Sequence, residues 1–244
     1  MSILMKKRIA TACPLRLLSK VSIRPSTSFS FLIPLHHTQS HAWSYEYEKK
    51  GRLWGNAPSI TPPIFHSPPS DSNFVYLDLG AGDGKCFRAV CSIDSHITFL
   101  AVDFSNAALH LCPQKTERVC ADAAQLPFCA NTVDCIYAHH VLGHIPVERR
   151  LLAVAEMLRV AKPSALIWIV VFERGDFRAG LGDICEEYTY IRGNGIMTHY
   201  FAKEEIVQLF SCYTPIYIKV HQWSMQIRGL SYPRSMIEGL FSVK

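Results

Sequence analysis

The chain has 244 residues, 49% of them apolar, and a formal net charge of +5; that length suits one mid-sized domain with a full core. The longest uninterrupted apolar run, ALIWIVVF at 165–172, falls well short of the ~18 residues a membrane-spanning helix needs. The charge is unevenly placed: six basic residues and no acid precede Glu46, leaving 19 basic against 20 acidic residues over 46–244, a net of −1. The body therefore lacks a basic footprint for nucleic acid.

Residues 1–45 are basic and rich in Ser and Thr, a composition that reads as an organellar transit peptide or as a disordered tail. The domain proper is expected over 46–244. The expected location is intracellular: cytoplasmic, or mitochondrial if residues 1–45 are a transit peptide. The nine cysteines are odd in number and never spaced C-x-x-C, which argues against a zinc ribbon or a disulfide framework and for a reducing compartment.

Residues 56–72 hold five prolines and four serines and read as a linker. A regular alternation follows. NFVYLDL (73–79) is a buried strand that runs into the glycine loop GAGDG, and 85–93 is the helix after it. Residues 97–104 are a second strand, and 105–114 a helix capped by Ser105. Short strands are expected at 118–122 and 132–139. An amphipathic helix over 146–161 has Pro at its first turn, and the strand at 164–173 is hydrophobic throughout, as a doubly covered parallel strand is. Strand and helix in alternation predict an α/β Rossmann-like, doubly wound, mostly parallel seven-stranded sheet. Residues 174–201 are too polar and irregular for the core and are expected to form a lid over the acceptor, with His199, Tyr200 and Phe201 walling a pocket. After a helix at 203–212, two apolar segments (216–227 and 235–243) turn around Pro233 and close the sheet with an antiparallel C-terminal strand.

The glycine loop admits three ligands. A phosphate-binding P-loop needs G-x-x-x-x-G-K-[ST]; here Leu79 stands at the first position and Cys86 at the last. A dinucleotide loop needs G-x-G-x-x-G, and Lys85 occupies its third glycine position. Asp78, two residues before Gly80, would repel a pyrophosphate and suits a ligand with a positive amino group. Asp103, ending the second strand, can accept ribose hydroxyls, and Asp122 can accept an amino hydrogen from a base. A nucleoside with a cationic amino-acid tail fits all three, which is S-adenosyl-L-methionine.

In order and spacing, VYLDLGAGDGK, AVDFSNAAL, ADAAQLPFCANTVDCIYAHHVLGHI and LLAVAEMLRVAKPSALIWI resemble the class I S-adenosylmethionine-dependent methyltransferases, in their small-molecule or type 11 group. The resemblance covers about 74–172. It departs at Pro163-Ser164-Ala165, where the family usually has Pro-Gly-Gly. It implies that Asp78, Gly80, Ala81 and Gly82 line the methionine and ribose side, that Asp103 and Phe104 hold the ribose, and that Asp122 and Ala123 meet the adenine, with Leu126 against the base. Upstream, Tyr47, Arg52 and Trp54 would close over the cofactor.

The methyl acceptor should sit at the end of the fourth strand, where Tyr137, His139, His140 and His144 are candidates. His139 is expected beside both donor and acceptor, and Tyr137 is the second catalytic candidate. No metal is expected, because His140 and His144 lack a convincing third ligand. The neutral body and the absence of [DNS]-P-P-[YFW] after that strand point to a small-molecule acceptor rather than nucleic acid. RNA or protein methylation, or a non-catalytic cofactor-binding scaffold, are the alternatives.

Overall fold

The structure is a computed structural model and describes residues 35–53, 55, 57–63, 74–90 and 97–244. Residues 1–34, Trp54, most of the Pro-rich segment and the end of the helix expected at 85–93 lie outside the described residues.

The elements in chain order are α1 (Leu35–Lys50), β1 (Phe74–Leu79), α2 (Lys85–Val90), β2 (Ile97–Asp103), α3 (Asn106–His110), β3 (Glu117–Cys120), β4 (Val133–His139), a 3₁₀ turn (Val141–His144), α4 (Val147–Val160), β5 (Ala161–Phe172), β6 (Asp183–Glu186), β7 (Thr189–Ile191), β8 (Met197–His199), α5 (Lys203–Leu209), β9 (Thr214–Ile227) and β10 (Leu230–Ser242). Seven strands form one sheet in the order β3-β2-β1-β4-β5-β10-β9. Strands β1 to β5 pair in parallel, and β10 pairs antiparallel with both β5 and β9. The expected doubly wound sheet with an antiparallel C-terminal strand is the observed one. The strand order reverses between β1 and β4, and the crevice at such a switch point is where open α/β sheets bind ligands.

Alternation along the strands sorts the core into an aliphatic and an aromatic face. Leu77, Ile136, Ile167 and Ile169 pack with Ala153, Val154 and Met157 of α4 and Ile206 and Phe210 of the α5 region. Their neighbours in sequence, Tyr76, Tyr137 and Trp168, turn to the other face with Phe99 and with Phe87 of α2. Tyr76 stacks on Phe99, and Tyr137 meets Trp168 edge-on. Helix α4 buries Arg150, Ala153, Val154, Met157 and Val160, the spacing of one helical face. Ser105 caps α3, its hydroxyl accepting from the Ala108 amide; Pro113 follows soon after, and a proline amide cannot donate within a helix, so the helix stops short of its expected end.

The C-terminal hairpin turns at Arg228-Gly229, both with positive φ (49° and 80°), and not at Pro233. Two left-handed residues make the tight turn whose twist matches a hairpin. Pro233 instead sits within β10 opposite Ser224, beyond the last residue that pairs with β5, where its missing amide costs no bond to that strand.

Residues 174–201, expected to be irregular, contain a second antiparallel sheet, β6-β7-β8. Helix α1 runs through the domain boundary expected at 45/46. Its Gln39 side chain accepts from the Met197 amide (2.8 Å) and donates to the Gly195 carbonyl (2.9 Å), and Trp43 packs with Leu53 and Ile196. The domain therefore begins upstream of residue 46. Among the described residues no helix is long and apolar enough to cross a membrane, and the seven described cysteines are free thiols.

Candidate active site

One large cavity opens at the carboxyl ends of β1, β2 and β4. The strand ends deliver Asp78, Asp103 and His139 to it, and the glycine loop between β1 and α2 forms its floor. Gly80 and Ala81 donate to the Val102 carbonyl (2.8 and 3.0 Å), tying the loop to β2. Gly80 and Gly82 have φ of +69° and +55°, values that burden any residue with a side chain. A Cβ at Gly80 would lie 2.6 Å from the Val141 side chain, and one at Gly82 would lie 2.4 Å from the Tyr47 hydroxyl. The loop is thus pressed between the 3₁₀ turn and α1, with its backbone facing the cavity.

The acids at this end are buried and close together. Asp103 accepts from the Gly82 amide with one oxygen and from the Ser105 amide with the other, both at 2.9 Å. Burial pushes its carboxyl up to about 6. Asp78 is pushed up to about 7, by burial first and then by the charge of Asp103, and its Oδ2 has no hydrogen-bond partner among the described residues. A buried carboxylate oxygen in that state is stabilised by an ammonium group.

Asp122 lines the same cavity, with Ala123 and Phe104 nearby. Its carboxylate accepts from the Ala124 amide at 2.9 Å and pairs with Arg149. Leu126, expected against the base, belongs instead to the aliphatic core and is not among the cavity-lining residues; the bridge between Asp122 and Gln125 turns the chain away just before it.

Of the four candidates at the end of β4, three line the cavity and one does not. His139 stacks on Trp168, and its Nε2 has no partner among the described residues; burial, then the charge of Lys85, lowers its imidazole to about 3. His140, held at φ +64°, stacks on Phe172 and is lowered well below its ordinary value by burial. His144 bonds the Met197 carbonyl through Nδ1 (2.6 Å) and is lowered to about 4 by burial. All three imidazoles are neutral at physiological pH. Tyr137, expected to be catalytic, is corrected here: strand alternation points it into the aromatic core, and its hydroxyl donates to the Pro63 carbonyl at 2.7 Å.

The roof comes from α1 and the β6–β8 insertion. Tyr47, Trp43 and Gln39 line the cavity from one side, and Arg178, Arg192, Ile196, Thr198 and Tyr200 from the other. Tyr47 lines the cavity, whereas Arg52 is exposed and lies outside the cavity lining. His199, Tyr200 and Phe201 divide: Tyr200 faces the cavity, His199 bridges Thr189 and Glu205, and Phe201 packs in the aliphatic core. Gln39, Trp43, Arg178 and Arg192 carry no local signature that sequence reasoning could have used.

A family model described as a methyltransferase domain, of the type 11 group, matches residues 77–169. These residues form a class I S-adenosylmethionine-dependent methyltransferase domain. Its cofactor is S-adenosylmethionine. The buried, unpartnered Asp78 oxygen fits that ligand's ammonium group, and the glycines at 80 and 82 leave the loop backbone open to close approach. Among solved structures, a methyltransferase from Anabaena variabilis matches with TM-score 0.64 at 13% identity, over 87% of this chain and 96% of that one. One from Methanosarcina mazei matches with TM-score 0.57 at 19% identity, over 73% and 99%. Both show the fold.

Two curated relatives carry more specific names. A tRNA (carboxymethyluridine(34)-5-O)-methyltransferase of Arabidopsis thaliana is 34% identical over 111 residues, 45% of this chain and 26% of the relative. A tRNA N(3)-cytidine methyltransferase of Bos taurus is 24% identical over 176 residues, 63% of this chain and 47% of the relative. The chain thus spans about a quarter to a half of the length of these relatives. They overturn the expectation of a small-molecule acceptor with no nucleic-acid signal. That expectation rested on the summed charge of residues 46–244 and on the absence of [DNS]-P-P-[YFW] after β4, and neither describes how charges are arranged in the fold.

Proposed function

We propose that this chain transfers a methyl group from S-adenosylmethionine to a nucleoside of tRNA. The observation that carries the reading is the match to relatives named for tRNA methylation across both acceptor chemistries, one over 45% and the other over 63% of this chain. The donor supplies an electrophilic methyl group on a sulfonium, and the protein's tasks are then alignment and exclusion of water.

In this reading Asp78 holds the donor's ammonium, Asp103 accepts from the ribose hydroxyls with Phe104 beside it, and Asp122 with Ala123 meets the adenine. Gly80, Ala81 and Gly82 let the backbone approach the donor. Asp103 also accepts from the loop through Gly82, so the residue that binds the ribose shapes the glycine turn as well. His139 sits beside the transferred methyl as a neutral, positioning hydrogen-bond partner rather than as a base. Tyr47 and Trp43 cover the site from α1.

The test is incubation of the full chain with methyl-labelled donor and unfractionated tRNA, followed by nucleoside analysis. Label in a modified nucleoside, lost in Asp103→Ala, is the expected result. Donor binding in the micromolar range with no label in RNA would sink the RNA reading while leaving the methyltransferase domain standing.

A further inference from the structure

The C-terminal hairpin outgrows the sheet. Towards the turn, pairing of β10 with β5 ends at Met236, opposite Phe172, and Phe172 lines the cavity. Past that point residues 222–227 of β9 pair with 230–235 of β10. At about 3.4 Å per residue, these form a two-stranded ribbon ~20 Å long that projects from the cavity end of the sheet. Its base is held by the segment after β5. The Glu173 and Phe177 amides donate to the Ser235 and Pro233 carbonyls at 3.1 and 2.9 Å, and Asp176 accepts from Arg234 at 2.6 Å. No residue of the ribbon is among those lining the cavity.

Cross-strand partners share a face, and the register sorts the ribbon into two unlike faces. Trp223, Met225 and Ile227 stand opposite Arg234, Tyr232 and Leu230 on one; Gln222, Ser224 and Gln226 stand opposite Ser235, Pro233 and Ser231 on the other. The first face is covered only in part. Phe177 packs on Tyr232 with centroids 4.9 Å apart, and Arg234 lies over the Trp223 ring, 5.5 Å from its centroid. Trp223, Ile227 and Leu230 are nevertheless 38%, 37% and 61% exposed, and such an apolar patch marks a contact surface. Charge says what kind. No acid occurs between Glu205 and Glu238, a stretch that includes the whole ribbon with Arg228 and Arg234. Arg228, at the turn, makes no ion pair among the described residues. Asp176 is shared by Arg178 and Arg234 and offsets only one of those two charges.

An exposed aromatic face beside unbalanced guanidinium charge is complementary to a nucleotide, with its flat base and its phosphate. We propose that the ribbon 222–235 is an RNA-binding arm for single-stranded nucleotides flanking the acceptor, with bases packing on Trp223 and on Ile227 and Leu230, and a phosphate pairing with Arg228. This rests on the tRNA reading above and adds to it a surface outside the cavity. The ribbon starts beside Phe172, so its occupant continues the strand whose nucleoside enters the cavity. A single strand suits it better than a duplex, because only unstacked bases can lie on side chains and the A-form major groove is too narrow to be read. A second copy of the chain is a poorer occupant, since it would bring two acid-free, positively charged ribbons together.

The test titrates the full chain, with S-adenosylhomocysteine present, with unfractionated tRNA and with a short RNA that is either single-stranded or paired with its complement. The parent should prefer the single strand to the duplex. Trp223→Ala should weaken tRNA binding about 10-fold, the scale of one lost base–aromatic stack. Arg228→Gln should lower the slope of log affinity against log salt by about 0.7, one phosphate on a single strand. Both variants should bind S-adenosylhomocysteine as the parent does, because the ribbon lies outside the cavity lining. Arg228→Gln, at the exposed turn, covers the case in which Trp223→Ala does not fold. Parent-like tRNA affinity and salt slope in both variants, or equal binding of single strand and duplex, overturns the arm alone if tRNA is still labelled by the parent. A parent dimer in sedimentation that Trp223→Ala dissociates also overturns it, the ribbon then being an interface between copies. A parent that binds donor but neither binds nor labels tRNA overturns the tRNA reading, and this proposal with it.

Discussion

Asp103 accepts a hydrogen bond from the Gly82 amide across 2.9 Å, so the end of β2 clamps the loop that follows β1. The clamp connects two of the functions read from the sequence, a glycine turn and a ribose-binding acid, into one unit. Asp103→Ala should therefore cost more than a ribose contact. Donor affinity should fall by at least about 100-fold, and the 80–84 amides should exchange faster with solvent, since losing a bond to a charged group costs about 1.5–3 kcal/mol. Titration calorimetry and hydrogen exchange read the two effects separately; lost affinity with unchanged exchange would refute the clamp.

Asp78 should show opposite signs in stability and in binding. Its folded-state carboxyl is raised to about 7 from 3.8, so the folded chain binds more protons than the unfolded chain between those values. The stability it contributes is therefore lost as pH rises from about 4 through 7. Asp78→Asn removes that loss. Its melting temperature relative to the parent should be near equal at pH 4 and higher at pH 8, by on the order of 5 °C. Donor affinity at pH 8 should nevertheless drop roughly 10- to 100-fold. A variant less stable than the parent at pH 8 would contradict this.

The contact between Gly82 and Tyr47 predicts a non-additive pair. Gly82→Ala places a Cβ 2.4 Å from the Tyr47 hydroxyl at φ +55° and should cost at least about 1–2 kcal/mol from backbone strain alone. Tyr47→Phe removes the atom in the way. Denaturant melts of the double variant should recover the steric part and keep the strain. Full additivity would show that the two residues do not touch.

His139 and Tyr137 should separate cleanly. Tyr137→Phe deletes the bond to the Pro63 carbonyl and should cost about 1 kcal/mol of stability with methyl transfer unchanged. His139→Ala should lower methyl transfer at least about 10-fold with donor affinity kept. Because its imidazole is lowered to about 3 by burial and the charge of Lys85, the parent rate should show no inflection from His139 between pH 5 and 8. An inflection near 6.5 that disappears in His139→Ala would mean that it acts as a base.

The two bonds that Gln39 makes to Gly195 and Met197 hold α1 on the β7–β8 turn. Gln39→Ala should raise exchange at the Met197 amide and weaken donor binding about 10-fold, the effect of two ordinary hydrogen bonds. A fragment beginning at residue 46 should bind the donor far more weakly than the full chain, since it lacks both Gln39 and Trp43.

The sheet and the glycine loop were legible in the sequence because both are local. The hydrophobic run of β5 and the loop ending β1 each announce themselves within a few residues, and Asp78, Asp103 and His139 stand at strand ends. The hairpin turn was misplaced because Arg228-Gly229 is a weaker written signal than Pro233. The pairing of β9 with β10 had to show that the proline lay beyond the reach of β5. Tyr137 and Leu126 were misjudged because a residue's distance from a motif says nothing about which face of the strand or turn it takes.

By itself, the sequence determined the α/β architecture, the donor class and the acids that stand at the strand ends, since periodicity and short-range spacing encode all three. Only the tertiary structure decided which residues from outside the sheet line the cavity. Gln39 and Trp43 reach the cavity from more than a hundred residues before Arg178 and Arg192, and Asp176 and Phe172 fix the Arg178 guanidinium in place. No window of sequence contains those partners together, because burial and packing, not spacing, bring them to one place.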